Sequence, residues 1–328
     1  MQWHFLEGCN LRCSHCYQES YEDTVLEDSD LLAIADSLDT AMQRWNRVGR
    51  VSLTGGEPFK APRQLALLMA RFEASPYFES IGILTNGSLV DSDSVEALRR
   101  HKKVREVQVS LDGATAATHD AVRGEGSFSR AVEGIERLRA GEIRVAIMFT
   151  LTRQNQHEAL EIIDLAGRLG CIAVTVERVI SRGRAAGQSL DLPPEELRDL
   201  YQQIAAKKRS PSIPSSLRVR TARPLWCLID GEEGGVCIAG LTGLTIMHDG
   251  TALPCRRLPL PLGNLLKDGL FKIWYTSPVL WDLRRKNRLA AACLKCDLLS
   301  QCGGCRAAAF AATGDYQAKD PQCWRQND

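Results

Sequence analysis

No apolar run in this 328-residue chain approaches the roughly 20 residues that a membrane-spanning helix needs. No basic-then-apolar leader with a small-residue cleavage site opens it either. The reading is a cytoplasmic protein without a membrane partner. Excess charge of one sign is also missing: 41 Lys and Arg against 40 Asp and Glu leave a formal net charge of +1. A field that weak gathers neither nucleic acid nor anionic lipid, so nucleic acid is not expected as a partner. No low-complexity segment is present, and 44% hydrophobic with 25% charged residues is ordinary for a globular chain. The length allows one large α/β barrel or two medium domains.

Cysteine, by contrast, is plentiful. Twelve cysteines in a reducing compartment argue against a disulfide framework and for metal or redox chemistry. Charge is distributed to match. Residues 1–217 carry 26 Lys and Arg against 30 Asp and Glu, whereas residues 218–328 carry 15 against 10. Eight of the cysteines lie in that second, net cationic part, where nearby cations would offset the negative charge of thiolate-ligated metal.

Short β-branched or apolar runs begin near Gln2, Arg50, Glu79, Glu106, Arg144 and Cys171, separated by helix-like windows. Those windows are Ser29–Trp45, Pro62–Ala74, Asp91–His101, Ser127–Ala140 and Gln156–Leu169, each with apolar residues three and four apart. Repeated strand–helix units predict a parallel sheet, either doubly wound or an incomplete barrel. A further helix is expected over Pro193–Lys208. Beyond the Ser/Pro stretch 210–216 the rhythm stops and Cys and Gly dominate. This predicts an α/β unit over 1–209, a linker over 210–225 and a small Cys-rich unit over 226–328.

Cys9, Cys13 and Cys16 form C-x3-C-x2-C on one loop. Three thiolates this close suit a soft metal, iron–sulfur or zinc. Zinc would need a fourth ligand such as His15, which sits inside the tight C-x2-C turn. A [4Fe–4S] cube ordinarily uses four cysteines, so three leave one iron open to a cofactor or substrate.

The triplet followed by the aromatic Tyr17 resembles the signature of the radical S-adenosylmethionine (SAM) superfamily, and later segments match in order. Gly55-Gly56-Glu57-Pro58 resembles the family's GGEP motif, whose backbone and acid engage the SAM ammonium. Thr85-Asn86-Gly87 and Ser110-Leu111-Asp112-Gly113 resemble segments lining the SAM ribose and methionine, which implicates Asn86, Ser110 and Asp112. Arg123 matches an arginine that pairs with the SAM carboxylate, as a guanidinium does well. Glu177 and Arg178 end the sixth strand and are expected to line the same site. The resemblance implies that a cube on the triplet chelates SAM and that its reductive cleavage gives a 5′-deoxyadenosyl radical. All these segments close successive predicted strands, the face where barrel chemistry assembles. That favours a partial (β/α)6 TIM-type barrel over a doubly wound sheet.

The remaining cysteines are Cys227, Cys237, Cys255, Cys293, Cys296, Cys302, Cys305 and Cys323, with Cys171 left over as a packing residue. Their spacing resembles the SPASM extension, which carries two auxiliary [4Fe–4S] clusters; zinc ribbons are the alternative for paired C-x2-C motifs. By that resemblance Cys227, Cys237, Cys255 and Cys305 hold one cube, and Cys293, Cys296, Cys302 and Cys323 the other. The dense run departs from the usual pattern, with Gly303-Gly304 where three residues are normal. The family position after Cys255 is a catalytic aspartate in sulfatase-maturing members; here it is Arg256, so formylglycine formation is not expected.

Class membership implies modification of a ribosomally synthesised peptide by cross-linking, epimerisation or backbone change. An external one-electron reductant is expected. So is a separate leader-binding protein, since little chain precedes the first strand. The alternative is tetrapyrrole side-chain chemistry in heme-type cofactor synthesis, which the Cys302–Cys323 tail resembles. Three cubes predict about 12 iron per chain after anaerobic reconstitution, read by iron analysis and thiolate-to-iron absorption. Stoichiometric zinc with little iron would end the radical reading.

Overall fold

The computed structural model describes residues 1–221, 223–229, 232 and 235–325. Strands β1 (Gln2–His4), β2 (Gly49–Thr54), β3 (Phe78–Thr85), β4 (Val104–Ser110), β5 (Val145–Leu151), β6 (Ala173–Arg178) and β7 (Arg218–Arg220) lie in chain order. All are parallel to their neighbours. On the other side of β1 the sheet continues through β8 (Thr245–Ile246), parallel to it. The antiparallel β9 (Thr251–Leu253) and β10 (Gly263–Asn264) follow. Strands β7 and β10 are the two edges, so the sheet is an unclosed, partial barrel.

Alternation along the strands gives the sheet two unlike faces. Trp3, Leu53, Ile83, Val107, Val109, Ile147, Phe149, Val174 and Val176 point to one side and are essentially fully buried. They meet the apolar stripes of α1 (Asp28–Trp45), α2 (Pro62–Ala74), α3 (Ser92–Arg99), α5 (Ser127–Ala140), α6 (Glu161–Arg168) and α7 (Pro194–Lys208) in one core. The intervening residues face inward. The register aligns Ser52 with Gly82, Leu84 with Gln108, Ser110 with Met148 and Thr150 with Glu177, and all of these are half-buried. The barrel interior is therefore a largely polar chamber rather than a packed core. Arg220 of β7 reaches across this concave face to Glu106 of β4, with contacts of 2.8 and 2.6 Å.

Three features differ from the sequence reading. Helix α4 (Ala116–Arg123) was not anticipated; the Thr115 hydroxyl caps it by accepting from Thr118 N at 3.4 Å. The stretch expected as a linker over 210–225 carries β7. The strands of the expected Cys-rich unit extend the barrel's own sheet. After them come α8 (Leu265–Asp268), α9 (Leu270–Thr276), α10 (Pro278–Arg284), α11 (Ala291–Leu294) and α12 (Arg306–Thr313). Within the expected linker and Cys-rich unit, residues 222, 230, 231, 233, 234 and 326–328 lie outside the described residues. No described helix is long and apolar enough to cross a membrane.

Phe72 of α2 meets Trp3 edge-on at 6.2 Å and Phe78 at 4.8 Å, and is fully buried. Phe72→Ala should cost about 3–5 kcal/mol through lost burial and the cavity left behind. The check is a lower urea midpoint.

Candidate functional site

The three N-terminal cysteines lie on the loop after β1, with Cys13 buried and Cys9 and Cys16 half-buried. Backbone amides already point at the sulfurs: Leu11 N donates to Cys9 Sγ at 3.4 Å and Gln18 N to Cys16 Sγ at 3.5 Å. Such bonds stabilise thiolates and tune cluster potential. The loop is held from three sides. Gly56 N donates to Leu6 O at 3.0 Å and Glu57 N to Gly8 O at 2.8 Å; Ser14 N donates to Val122 O at 2.9 Å; Arg184 N donates to Cys16 O at 2.8 Å. The glycines of Gly55-Gly56 are required by this approach. A Cβ on Gly56 would lie 2.1 Å from Gly8 O, and one on Gly55 2.4 Å from Leu6 O.

Glu57 is fully buried beside this loop. Its carboxylate accepts from Asn86 N at 2.7 Å, Thr85 Oγ1 at 2.7 Å and Phe59 N at 3.1 Å, the last capping the short turn that Pro58 begins. Burial outweighs these bonds and pushes its pKa up to about 7. Asn86 Nδ2 donates to Asn10 Oδ1 at 2.9 Å and stands 3.9 Å from Cys9 Sγ. Glu57 and Asn86 thus sit together at the ends of β2 and β3, against the cysteine loop.

Asp112, just past β4, is the other anchor. Its side chain receives Arg123 Nε at 2.6 Å and Thr150 N at 2.8 Å, and His15 Nε2 stands 2.5 Å away. Burial favours the neutral acid, but Arg123 and His15 hold the carboxyl far below its usual range. His15 is thus turned to Asp112. Arg123, only 8% exposed, also places Nη1 3.8 Å from Cys13 Sγ. It lies between the acid and the cluster loop. Ser110 is half-buried on the chamber wall, and Tyr17 lies with its ring 4.9 Å below the Arg256 guanidinium.

Of the two residues that end β6, Glu177 stays on the chamber face, whereas Arg178 departs from the sequence expectation. Alternate residues at the end of β6 face opposite ways. Arg178 turns outward into the C-terminal segment, with bonds to Asp320 at 2.8 and 3.1 Å and to Gln322 Oε1 at 2.6 Å. Asp320 also accepts from Cys305 N at 2.7 Å. Glu177 pairs with Arg223 at 2.6 Å and Arg257 at 3.2 Å; burial opposes its charge, yet these two arginines lower its pKa to about 2. Both residues clamp the Cys-rich region onto the barrel. The segment Arg182–Ala185 was read as a site-lining candidate, and Arg184 does hold the cysteine loop; Thr150 and His119, whose Nδ1 accepts from Asp112 N at 3.1 Å, were not singled out as site residues. They carry no motif, and only the folded contacts reveal them.

The auxiliary cysteines fall into two neighbourhoods. Cys255 and Cys305 both act on Cys237, whose thiol burial pushes up to about 11. Cys293, Cys296, Cys302 and Cys323 line a second recess with Gly304, Lys319 and Asp320. There Gly304 N donates to Cys302 Sγ at 3.2 Å. Cys227 stands by Cys302 rather than by Cys237. Their shared hydrogen bond lowers Cys302 to about 6 and raises Cys227. The preceding Trp226 is fully buried and stacked on Tyr201 at 3.7 Å. Cys171 is 2% exposed, at the foot of β6. Among the described residues no three His, Cys, Asp or Glu side chains stand close enough to hold a single metal ion. Soft thiolates, amides aimed at sulfur and adjacent guanidinium groups are a donor set that suits iron–sulfur clusters.

A cation seated beside Glu57 would favour its ionised form. Near pH 6.5 the free acid is largely protonated, so SAM binding should release a proton; well above about pH 7 the release should vanish. Calorimetry in two buffers of different ionisation heat measures this, and Glu57→Gln should abolish the difference. A wild-type protein that shows no buffer dependence near pH 6.5 would take Glu57 away from the SAM ammonium.

Residues 3–166 match the model of the radical SAM superfamily, and residues 237–297 that of the SPASM iron–sulfur cluster-binding domain. The chain is 30% identical to the AdoMet-dependent heme synthase of Methanosarcina barkeri, over 98% of this chain and 95% of that protein. It is 31% identical to the mycofactocin maturase MftC of Mycolicibacterium smegmatis, over 98% and 82%. Streptococcus suis SuiB, solved bound to precursor peptide SuiA, shares the fold with a TM-score of 0.78. That match covers 99% of this chain and 75% of SuiB at 19% identity. The partial barrel, the cysteine loop and these matches agree: the chain belongs to the radical SAM superfamily, as an enzyme that binds SAM and iron–sulfur clusters and carries the SPASM extension.

Proposed function

We propose that this enzyme modifies a ribosomally synthesised peptide, by cross-linking, epimerisation or backbone change, in the cytoplasm. Three [4Fe–4S] clusters serve it: one on Cys9, Cys13 and Cys16, and two on Cys237, Cys255, Cys305, Cys293, Cys296, Cys302, Cys323 and Cys227. Cluster and SAM supply a carbon radical able to take hydrogen from an unactivated C–H bond. The chain's own residues bind and orient. Gly55, Gly56 and Glu57 seat the SAM ammonium, Asn86, Ser110 and Asp112 border its ribose and methionine, and Arg123 meets its carboxylate beside Cys13. A separate leader-binding protein and an external one-electron reductant belong to the same proposal.

The observation that carries the peptide reading is the chamber wall. Ser52, Gln108, Ser110 and Thr150 stand half-buried on the concave face and offer donors and acceptors along its length. Such a wall suits a peptide backbone better than the broad apolar face of a tetrapyrrole. The second reading, tetrapyrrole side-chain modification, is favoured by the near-full-length likeness to the Methanosarcina barkeri heme synthase.

The test is isotope transfer. A candidate precursor peptide, deuterated at its C–H positions, should pass deuterium into 5′-deoxyadenosine when the reduced enzyme and SAM are present. Transfer from a deuterated porphyrin propionate, with none from the peptide, would decide for the second reading. Replacing Cys293 and Cys296 together by Ala should block product while SAM cleavage persists, since the barrel cluster is untouched. Full product from that variant would remove the auxiliary cluster from the reaction.

A further inference from the structure

At the mouth of β1 two buried polar atoms, His4 Nε2 and Arg256 Nε, have no hydrogen-bond partner among the described residues. Nδ1 of His248 is in the same state, but Glu7 Oε1 lies 3.5 Å from it, so an acid is at hand. Among the described residues no acid stands by His4 or Arg256 in this way. His4 is only 2% exposed. Trp3 packs outward on Phe72, so strand alternation puts His4 on the chamber side, in register with Thr54. The two residues frame one ring. The Arg256 guanidinium lies 4.9 Å over Tyr17, and the His4 ring is 6.3 Å from it. Tyr17 in turn feels both Cys16 and Cys255, so the three side chains stand between the N-terminal cysteine loop and the first auxiliary set.

Chemistry decides what fits there. The His4 ring also bonds to the Gly55 backbone, in the sense that favours a ring proton, so the ring is the donor in that bond. With Nε2 free, that donor is Nδ1, and burial keeps the ring neutral. Nε2 is then an acceptor with an unused lone pair. Among the described residues, the side chains that act electrostatically on His4 are Arg256 and His248, neither of them an acid. Among the described residues, a guanidinium without a carboxylate and an acceptor without a donor thus flank the Tyr17 ring.

We propose that Arg256 and His4 are the substrate-anchoring pair: Arg256 takes a carboxylate, and His4 Nε2 accepts a hydrogen bond from an N–H next to it. The last residue of a peptide offers both groups, its α-carboxylate and its amide N–H. A tetrapyrrole propionate offers only the first. This deepens the peptide reading above and rests on it.

Binding by saturation-transfer NMR to the reconstituted, SAM-bound enzyme tests the pair. The probes are N-acetylalanine, propanoate and N-acetylalaninamide. N-acetylalanine should bind best, propanoate less well, and the uncharged amide at least about tenfold more weakly than the acid. Arg256→Gln should remove the advantage of the acid over the amide, and His4→Leu that of N-acetylalanine over propanoate. Iron content and SAM affinity should match wild type in both variants. Equal binding of acid and amide, or no saturable binding of any probe, would overturn the proposal. So would loss of iron in Arg256→Gln, which would make the arginine a counter-ion of the auxiliary cluster, or a fall in SAM affinity, which would assign the pair to the cofactor. Binding of a porphyrin tetracarboxylate that needs Arg256 but is indifferent to His4→Leu would place the carboxylate on a propionate and refute the peptide terminus. Each of these results leaves SAM cleavage, the mark of the radical reading, to be measured separately.

Discussion

The buried carboxylate of Asp112 holds the N-terminal site together. One side chain collects His15 from the cysteine loop, Arg123 from α4 and the Thr150 amide from β5, while Asn155 Nδ2 donates to its backbone carbonyl at 3.0 Å. An ionised acid with no solvent contact is tolerable only when charge and hydrogen bonds surround it on all sides. That requirement fixes the end of α4 and the turn of the cysteine loop relative to the strand ends. With the loop fixed, Gly55-Gly56 can lie flat against Leu6–Gly8, and Glu57 comes to rest beside Cys9. Removing the carboxylate would free three elements at once.

The same device recurs at the other thiols. Arg178 pairs with Asp320, whose second bond reaches the Cys305 amide. Arg257 pairs with Glu177 and is felt by Cys255 and Cys305. Each arginine is held by an acid on one side and faces sulfur on the other. Burial pushes Cys13 and Cys237 up to about 11, so these thiols stay protonated until a metal takes their protons. The acids keep the guanidinium groups in place before that charge arrives, and a guanidinium in place then lowers the cost of burying thiolates. The pairs are thus preorganisation for the clusters more than a source of stability, since a buried ion pair gains little net over its desolvation.

Much of the barrel was legible because its elements are long and periodic. Pro62–Ala74 and Ser127–Ala140 form helices with the limits their apolar stripes predict, and Asp28–Trp45 begins one residue earlier than read. The motif residues Glu57, Asn86 and Asp112 do gather around the cysteine loop, as their places at strand ends implied. What escaped was set by partners far along the chain. Strand β7 has three residues, too few for a period, and exists because β6 and Glu106 receive it. Strand β8 has two residues and is defined by β1, some 240 positions away. Arg178 looked like a site-facing cation from its strand end, but the parity of β6 turns it outward to Asp320.

That parity also explains how one sheet serves both packing and chemistry. Between the faces lies a single peptide thickness, so the residue that fills the core and the residue that lines the chamber are always neighbours. Trp3 anchors α2 through Phe72 while His4, the next residue, looks into the chamber. Val176 is buried in the core while Glu177 holds Arg257 and Arg223. A shift of one residue in register would exchange the two sets and bury the charges among the helices. The apolar face therefore does more than stabilise the barrel. It fixes which side chains the chamber presents, and an unclosed sheet with only short strands beyond β6 can keep a defined site because the long central strands set that register.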